Sequence, residues 1–106
     1  MGVFDFFKRP DIDQGVADHQ HTPGAVLLDV RTPQEYRDGH IPGSKNVPLQ
    51  TIDKVASVAE NKDAVLYVYC YSGTRSRQAV SLLQQMGYTN VNNIGGIAAY
   101  SGKVEH

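Results

Sequence analysis

Two short runs of almost entirely apolar residues most constrain what this chain can fold into. They are Ala25-Val-Leu-Leu-Asp-Val30 and Ala64-Val-Leu-Tyr-Val-Tyr69. Runs this short and this apolar are typical of β-strands covered on both faces, as in a parallel sheet. Segments with helical spacing lie between the runs, and right-handed strand–helix–strand connections place helices on the faces of such a sheet. The sequence therefore predicts an α/β fold with helices on both sides of a parallel sheet.

Capping signals predict where the helices begin and end. Thr32 and Glu35 form a capping box with Pro33 at the first helical position, and Gly39 ends that helix. In a later helix, apolar spacing predicts that Ala79, Leu82, Leu83 and Met86 face inward. The other predicted elements are helices over 14–20 with Asp13 as the cap, 51–60, 75–86 and 98–100, and short strands at Ile12, 46–47 and Val91.

The length and charge of the chain limit its organisation and its partners. With 106 residues, we expect residues 1–10 to form an apolar N-terminal extension and residues 11–106 to form one domain. The Phe4, Phe6 and Phe7 cluster is expected to pack on that domain or on a partner. A net charge of −1 gives no general attraction to nucleic acid or to an anionic membrane. Because the start resembles no secretory leader, the expected location is cytoplasmic.

Cys70 is the single cysteine, so no disulfide can form within the chain. It stands where a buried strand passes through a short loop containing Gly73 into a helix. Backbone N–H groups at a helix N-terminus, together with the helix dipole and the charges of Arg75 and Arg77, favour an anion there. The pKa of a thiol in this position should fall below its ordinary value, which makes the nucleophilic thiolate accessible. The alternative is a small buried hydrophobic residue.

Four blocks of this sequence resemble those of single-domain rhodaneses, a family of sulfurtransferases. The blocks occur in the family's order and spacing and together span about Ile12 to Tyr100. They are Leu28-Asp-Val-Arg-Thr-Pro-Gln-Glu-Tyr36, Gly39-His-Ile-Pro-Gly43, Cys70-Tyr-Ser-Gly-Thr-Arg75 and Gly95-Gly96. The resemblance implies a three-layer α/β/α sandwich around a five-stranded parallel sheet with strand order 1-5-4-2-3.

The resemblance also implies an activity and roles for individual residues. A sulfane sulfur would pass from a donor such as thiosulfate to a thiophilic acceptor through a persulfide on Cys70, with no cofactor or metal. The implied partners are a small anionic or persulfide donor and a thiol or dithiol protein acceptor. The implied donor-binding loop consists of Tyr71, Ser72, Gly73, Thr74, Arg75 and Ser76, with Arg75 steering an anionic donor.

Asp29, Arg31 and Glu35 lie in a block that the resemblance assigns to support of the same pocket. Asp29 ends a buried strand and needs a partner, because an unpaired buried charge is costly. Arg31 and Glu35 stand four residues apart, which predicts an ion pair across the start of the helix.

Three alternative functions stay open at the level of sequence. A cysteine-loop phosphatase would need five residues between cysteine and arginine, whereas four separate Cys70 from Arg75. A protein-to-protein sulfur carrier or interaction module would use the same thiol with weak turnover of small donors. Tyr71 and Ser72 stand where some rhodaneses have basic residues, which weakens the case for thiosulfate as the preferred donor and leaves a neutral persulfide or a mercaptopyruvate-like donor open. A redox sensor would oxidise Cys70, although the chain has no second cysteine to resolve the product.

Overall fold

The sheet of this protein consists of four parallel strands in the part of the chain that the computed structural model describes, residues 10–106. Phe4, Phe6 and Phe7 lie outside those residues, as does the predicted extension apart from Pro10. The order is β2-β1-β3-β4, which is the expected order without its first strand. The strands are β1 (Val26–Asp29), β2 (Lys45–Asn46), β3 (Leu66–Cys70) and β4 (Val91–Gly96).

The prediction of a strand at Ile12 is wrong, because Ile12 is the first residue of a helix. The carboxylate of Asp11 accepts hydrogen bonds from the backbone N–H groups of Asp13 and Gln14, at 3.1 and 3.2 Å. Asp11 is therefore the N-cap, two residues earlier than the expected Asp13. Over residues 10–106 the five-stranded expectation is thereby corrected to four strands.

Residues 10–106 contain three α-helices and two 3-10 helices, three of which connect consecutive strands. The α-helices are α1 (Ile12–Gln20), α2 (Pro33–Asp38) and α3 (Thr74–Gln85), and the 3-10 helices cover Leu49–Ser57 and Ile97–Ala99. The capping box at the start of α2 is confirmed, since the side chain of Thr32 accepts from the N–H of Glu35 and the carboxylate of Glu35 accepts from the N–H of Thr32. Within residues 10–106, no helix has the length and apolar character needed to cross a bilayer.

The sheet separates two apolar layers. On one face, Val68 and Cys70 of β3 pack with α3 and with the 3-10 helix Leu49–Ser57. On the other face, Tyr69 packs with Ile12 and Val16 of α1. Because side chains alternate along a strand, consecutive residues of β3 fill opposite layers. This is the predicted α/β/α sandwich, and it buries the strand that ends at Cys70.

Two helical predictions differ from the structure. The segment predicted as an α-helix over 51–60 is a 3-10 helix over Leu49–Ser57 with a kink at Thr51, whose φ and ψ of −126° and 37° are non-helical. The amphipathic spacing is nevertheless used, because Ile52 and Val55 are buried. Leu82, predicted to face inward from α3, is 38% exposed. Ala79 and Leu83 carry the buried side of that helix instead.

Candidate active site

Cys70 is the last residue of β3 and lies at the carboxyl edge of the sheet, where ligand sites of open α/β folds gather. It is 1% exposed. Its Sγ accepts a hydrogen bond from the backbone N–H of Gly73 at 3.0 Å. Gly73 has a φ of +107° and caps the N-terminus of α3, a left-handed conformation that favours glycine. The loop therefore bends back over the sulfur and directs an N–H group at it.

A buried hydroxyl lies beside the same sulfur. Ser76 Oγ is 3.4 Å from Cys70 Sγ and 2.7 Å from Oδ1 of Asn93 in β4. Asn93 Oδ1 also accepts from the N–H of Gly95 at 3.0 Å, next to an irregularity in the pairing of β3 with β4. Ser76 can therefore accept from a thiol while donating to Asn93, or donate directly to a thiolate. Asn93 was not predicted from the sequence as a site residue, because only the pairing of β4 with β3 brings it to the loop.

These contacts make Cys70 more acidic than an ordinary cysteine. Burial raises the pKa of the Cys70 thiol, but the Ser76 hydroxyl and the backbone N–H groups of Ser76, Gly73 and Ser72 together lower it by more. The net pKa lies below the ordinary value, as the sequence predicted. The loop stabilises the thiolate with uncharged donors, so the nucleophile needs no adjacent general base.

Arg75 forms a two-pronged ion pair with Glu35, 40 residues away in sequence. The two N–O distances are 2.7 and 3.0 Å. The hydrogen bonds from Arg75 are the main reason that the pKa of Glu35 is held at about 2, with smaller help from Thr32. The predicted pair between Arg31 and Glu35 is therefore wrong. Glu35 instead connects the start of α2 to the loop that follows Cys70.

The partner of Arg31 is Asp29, at the end of β1. Arg31 Nη2 lies 2.6 Å from Asp29 Oδ2 and also donates to the carbonyl of Gly39 at 2.8 Å. Both side chains are buried, so the expectation that Asp29 needs a partner is confirmed. Burial, and after it the negative charge of Asp29, raise the pKa of Tyr69. This cluster fixes the end of β1 beside the end of β3.

A cavity of about 580 Å³ lies against the Cys70 loop. Arg77, which projects from the first turns of α3 on the exposed side, lines it. Gly96 also lines it, and a Cβ on Gly96 would collide with the carbonyl oxygen of Tyr71, so only glycine allows β4 to approach the loop this closely. The lining residues are Pro10, Ile12, Tyr71, Ser72, Gly73, Thr74, Arg77, Asn93, Gly95, Gly96, Ala98 and Ala99.

The structure brings together most of the residues expected at the site. Four of the loop residues line the cavity, Ser76 lies at the sulfur, and Arg75 lies beside them in its pair with Glu35. Asp29 and Arg31 form the neighbouring buried pair. Arg77 and Asn93 were not among the predicted site residues. The loop residues in the cavity wall are Tyr71, Ser72, Gly73 and Thr74.

Comparison with known proteins gives matches over nearly the whole described chain. A family model described as the rhodanese-like domain matches residues 13–103. The thiosulfate sulfurtransferase PspE of Escherichia coli is 39% identical over 71 residues, 66% of this chain and 68% of that protein. The putative sulfur carrier protein YrkF of Bacillus subtilis is 36% identical over 80 residues, 74% of this chain and 43% of that protein. A solved structure of a rhodanese with anions from E. coli superposes with a TM-score of 0.72 at 34% identity, covering 76% of this chain and 96% of that one.

Proposed function

Because the chain belongs to the rhodanese-like domain family, we propose that it is a sulfurtransferase that carries a sulfane sulfur on Cys70 as a persulfide. One observation supports this most directly. The sulfur of the only cysteine lies at the N-terminus of α3, with the Gly73 N–H 3.0 Å away and the Ser76 hydroxyl 3.4 Å away. A persulfide anion needs the same donors as a thiolate, so one loop can hold both states of the nucleophile. Relatives named as sulfurtransferases and as a sulfur carrier support the same chemistry in general.

The proposed reaction has two displacement steps. In the first, the Cys70 thiolate attacks the outer sulfur of a donor such as thiosulfate, the donor's sulfur–sulfur bond breaks, and sulfite leaves with the electron pair. In the second, an acceptor nucleophile such as cyanide or a thiolate attacks the outer sulfur of the persulfide, and Cys70 leaves as the thiolate. A covalent intermediate of this kind divides one difficult transfer into two easier ones.

We propose that the loop amides and Arg75 attract the anionic donor. Arg75 keeps its position through Glu35, which offsets part of its charge. The backbone N–H groups of the loop and the dipole of α3 therefore supply much of the remaining attraction. Tyr71 and Ser72 bring no charge to the loop, which is consistent with slow use of thiosulfate relative to a neutral persulfide donor.

A second function, sulfur transfer between proteins, is favoured by the burial of Cys70. Because Cys70 is 1% exposed, a reagent must fit closely against the loop to reach the thiol. The surface of a partner protein can provide such a fit. The same burial argues against a redox sensor, whose cysteine is characteristically solvent-accessible. A phosphatase is disfavoured because the chain from Cys70 to Arg75 is one residue short of the loop that a phosphatase needs.

The test is to incubate the protein with thiosulfate and to measure its intact mass, then to add cyanide and assay thiocyanate. We expect a gain of one sulfur atom that cyanide removes, and no gain in Cys70→Ser. Ser81→Ala, an exposed change on the same helix, is the control and should behave as the unmodified protein. A gain with a persulfide donor but not with thiosulfate would favour the carrier. No gain with either donor would refute the proposed function.

A further inference from the structure

We infer, on the basis of the proposed function, that Asn93 is a positioning residue for the Cys70 nucleophile. Its side-chain oxygen holds the proton of the Ser76 hydroxyl while Cys70 is a thiol, and it releases that proton to the sulfur when Cys70 becomes a thiolate. The hydroxyl of Ser76 thus turns between two acceptors, and Asn93 determines how readily it turns. Asn93 acts through Ser76 and is not itself a catalytic residue.

The hydroxyl of Ser76 has a single proton and lies among four atoms that can accept it. Ser76 is fully buried, so bulk water does not compete for the proton. The nearest acceptor is Oδ1 of Asn93 at 2.7 Å, followed by the carbonyl oxygen of Gly73 at 3.0 Å. The Cys70 sulfur and the Gly95 carbonyl oxygen both lie 3.4 Å away. The oxygens are uncharged acceptors, whereas the sulfur becomes a charged one as the thiolate, so ionisation changes which acceptor is best.

The oxygen of Asn93 can give up the Ser76 proton without losing its last hydrogen bond. It also accepts from the backbone N–H of Gly95 at 3.0 Å. At the other end of the same amide, Nδ2 donates to the carbonyl of Gly73 at 3.4 Å, which keeps the amide in place. A buried acceptor that loses every donor is costly, and the N–H of Gly95 removes that cost. The hydroxyl is therefore free to turn when the sulfur ionises.

The irregular pairing of β4 with β3 places Asn93 on the side of the sheet that contains the nucleophile. Asn93 pairs with Val68, and the side chains of Val68 and Cys70 lie in the same apolar layer. Paired residues of neighbouring strands direct their side chains to the same face. The register shifts immediately afterwards, at Gly95, and irregularities of this kind re-aim side chains beside active sites. The fold therefore brings the Asn93 amide to Ser76.

Uncharged groups dominate the surroundings of Cys70, which makes the direction of one hydroxyl important. Burial raises the pKa of Cys70, and the uncharged donors around it, the Ser76 hydroxyl first among them, lower it by more. The charged side chains on the elements that meet this layer are either paired with each other or exposed. They are Asp29 with Arg31, Glu35 with Arg75, and the exposed Asp53, Lys54 and Arg77.

The turn of the hydroxyl assists both steps of the proposed transfer. Before the first step, the thiol of Cys70 loses its proton to water, and the Ser76 hydroxyl turns from Asn93 to the thiolate. In the second step, the bond between Cys70 and the outer sulfur breaks and Cys70 keeps the electron pair. Ser76 then donates to this leaving thiolate. Asn93 exchanges no atom or electron with the substrate in either step.

A direct test follows the side-chain carbonyl carbon of Asn93 by NMR while Cys70 is titrated in the isotope-labelled protein. We expect the Asn93 resonance to shift with the same midpoint as the β-carbon of Cys70, and this shift to be largely lost in Ser76→Ala. The internal control is Asn92, an exposed residue whose side chain donates to the carbonyl of Leu66 at the opposite end of β3 from Cys70. An Asn93 resonance that ignores the titration, or that shifts equally in Ser76→Ala, would overturn the inference.

This titration also separates the inference from the proposed function, because it needs no sulfur donor. If the protein fails to take up sulfur but Asn93 responds as expected, only the proposed function fails. If the protein takes up sulfur and Asn93 does not respond, only the present inference fails.

A kinetic test asks whether Asn93 and Ser76 act on Cys70 together. Asn93→Asp keeps an acceptor for the N–H of Gly95 and, as a carboxylate, holds the Ser76 proton more tightly. We expect the pH profile of alkylation by iodoacetamide to move up by about one pH unit. Ser76→Ala should slow alkylation severalfold in the unmodified chain, but by roughly twofold or less in Asn93→Asp, because the proton is already withheld from the sulfur.

Asn92→Asp is the matched control for the added charge. It introduces a carboxylate one residue away on the same strand, and it should leave the profile of Cys70 unchanged. If Asn93→Asp and Ser76→Ala shift the profile independently, so that their effects add, Asn93 does not act through Ser76 and the inference is wrong.

Discussion

Glu35→Gln tests the ion pair that connects α2 to the Cys70 loop. Glutamine keeps an oxygen that can accept from the N–H of Thr32, so the capping box is largely preserved and the negative charge is lost. A carboxyl with a pKa of about 2 instead of 4.5 corresponds to roughly 3 kcal/mol of stability if the whole difference is expressed. Because the side chains of Arg75 and Glu35 are 31% and 33% exposed, screening by water reduces this to about 1–2 kcal/mol.

The pH dependence gives this prediction its sign. Glu35 has a lowered pKa in the folded state, so its contribution is complete above the ordinary value of 4.5 and is lost as the pH falls towards 2. The difference in free energy of unfolding between the unmodified protein and Glu35→Gln should therefore be largest near neutral pH and smaller at about pH 3.5. Urea unfolding at about pH 7, 5 and 3.5 measures it. Glu60→Gln, at an exposed position, is the control and should have little effect. A difference that does not change with pH, or that equals the control, would refute the argument.

Two further substitutions test the surroundings of Cys70. Ser76→Ala removes a donor to the thiolate, so the pKa of Cys70 should rise. Alkylation of Cys70 by iodoacetamide should then become severalfold slower near neutral pH, and the pH profile of the alkylation rate should move to higher pH. Ser81→Ala, at an exposed position, is the control and should leave that profile unchanged. Tyr69→Phe leaves the buried backbone N–H of Ile41 without its acceptor, so the free energy of unfolding measured with urea should fall by about 1–3 kcal/mol. Tyr67→Phe is the control, because it removes only the long 3.4 Å contact with Thr22, and it should lower the free energy of unfolding by less.

Local signals were enough to predict the elements that flank the site. The capping box of Thr32 and Glu35 predicted the start of α2, because a cap acts over only three residues of chain. The apolar run ending at Cys70 predicted β3, because a strand covered on both faces is apolar at nearly every position and can be recognised from that run alone. These predictions required only neighbouring residues.

The missed features depend on residues that are distant in sequence. Glu35 was expected to pair with Arg31, four residues away, but its partner is Arg75, which comes within reach only when β1 and β3 lie side by side. Asn93 reaches Ser76 through the pairing of β4 with β3. The 3-10 geometry of Leu49–Ser57 was also missed, because amphipathic spacing over nine residues does not separate it from an α-helix.

The wall that β4 and the Cys70 loop share has a consequence for engineering. Gly96 lies so close to the Tyr71 carbonyl that no side chain fits between them, and Ala98 donates its N–H to that same oxygen at 3.0 Å. Asn93 and Ser76 join the two segments again at 2.7 Å. The loop therefore cannot be replaced independently of β4. A designer who grafts another nucleophile loop onto this scaffold must transplant the stretch from residue 93 to residue 98 with it.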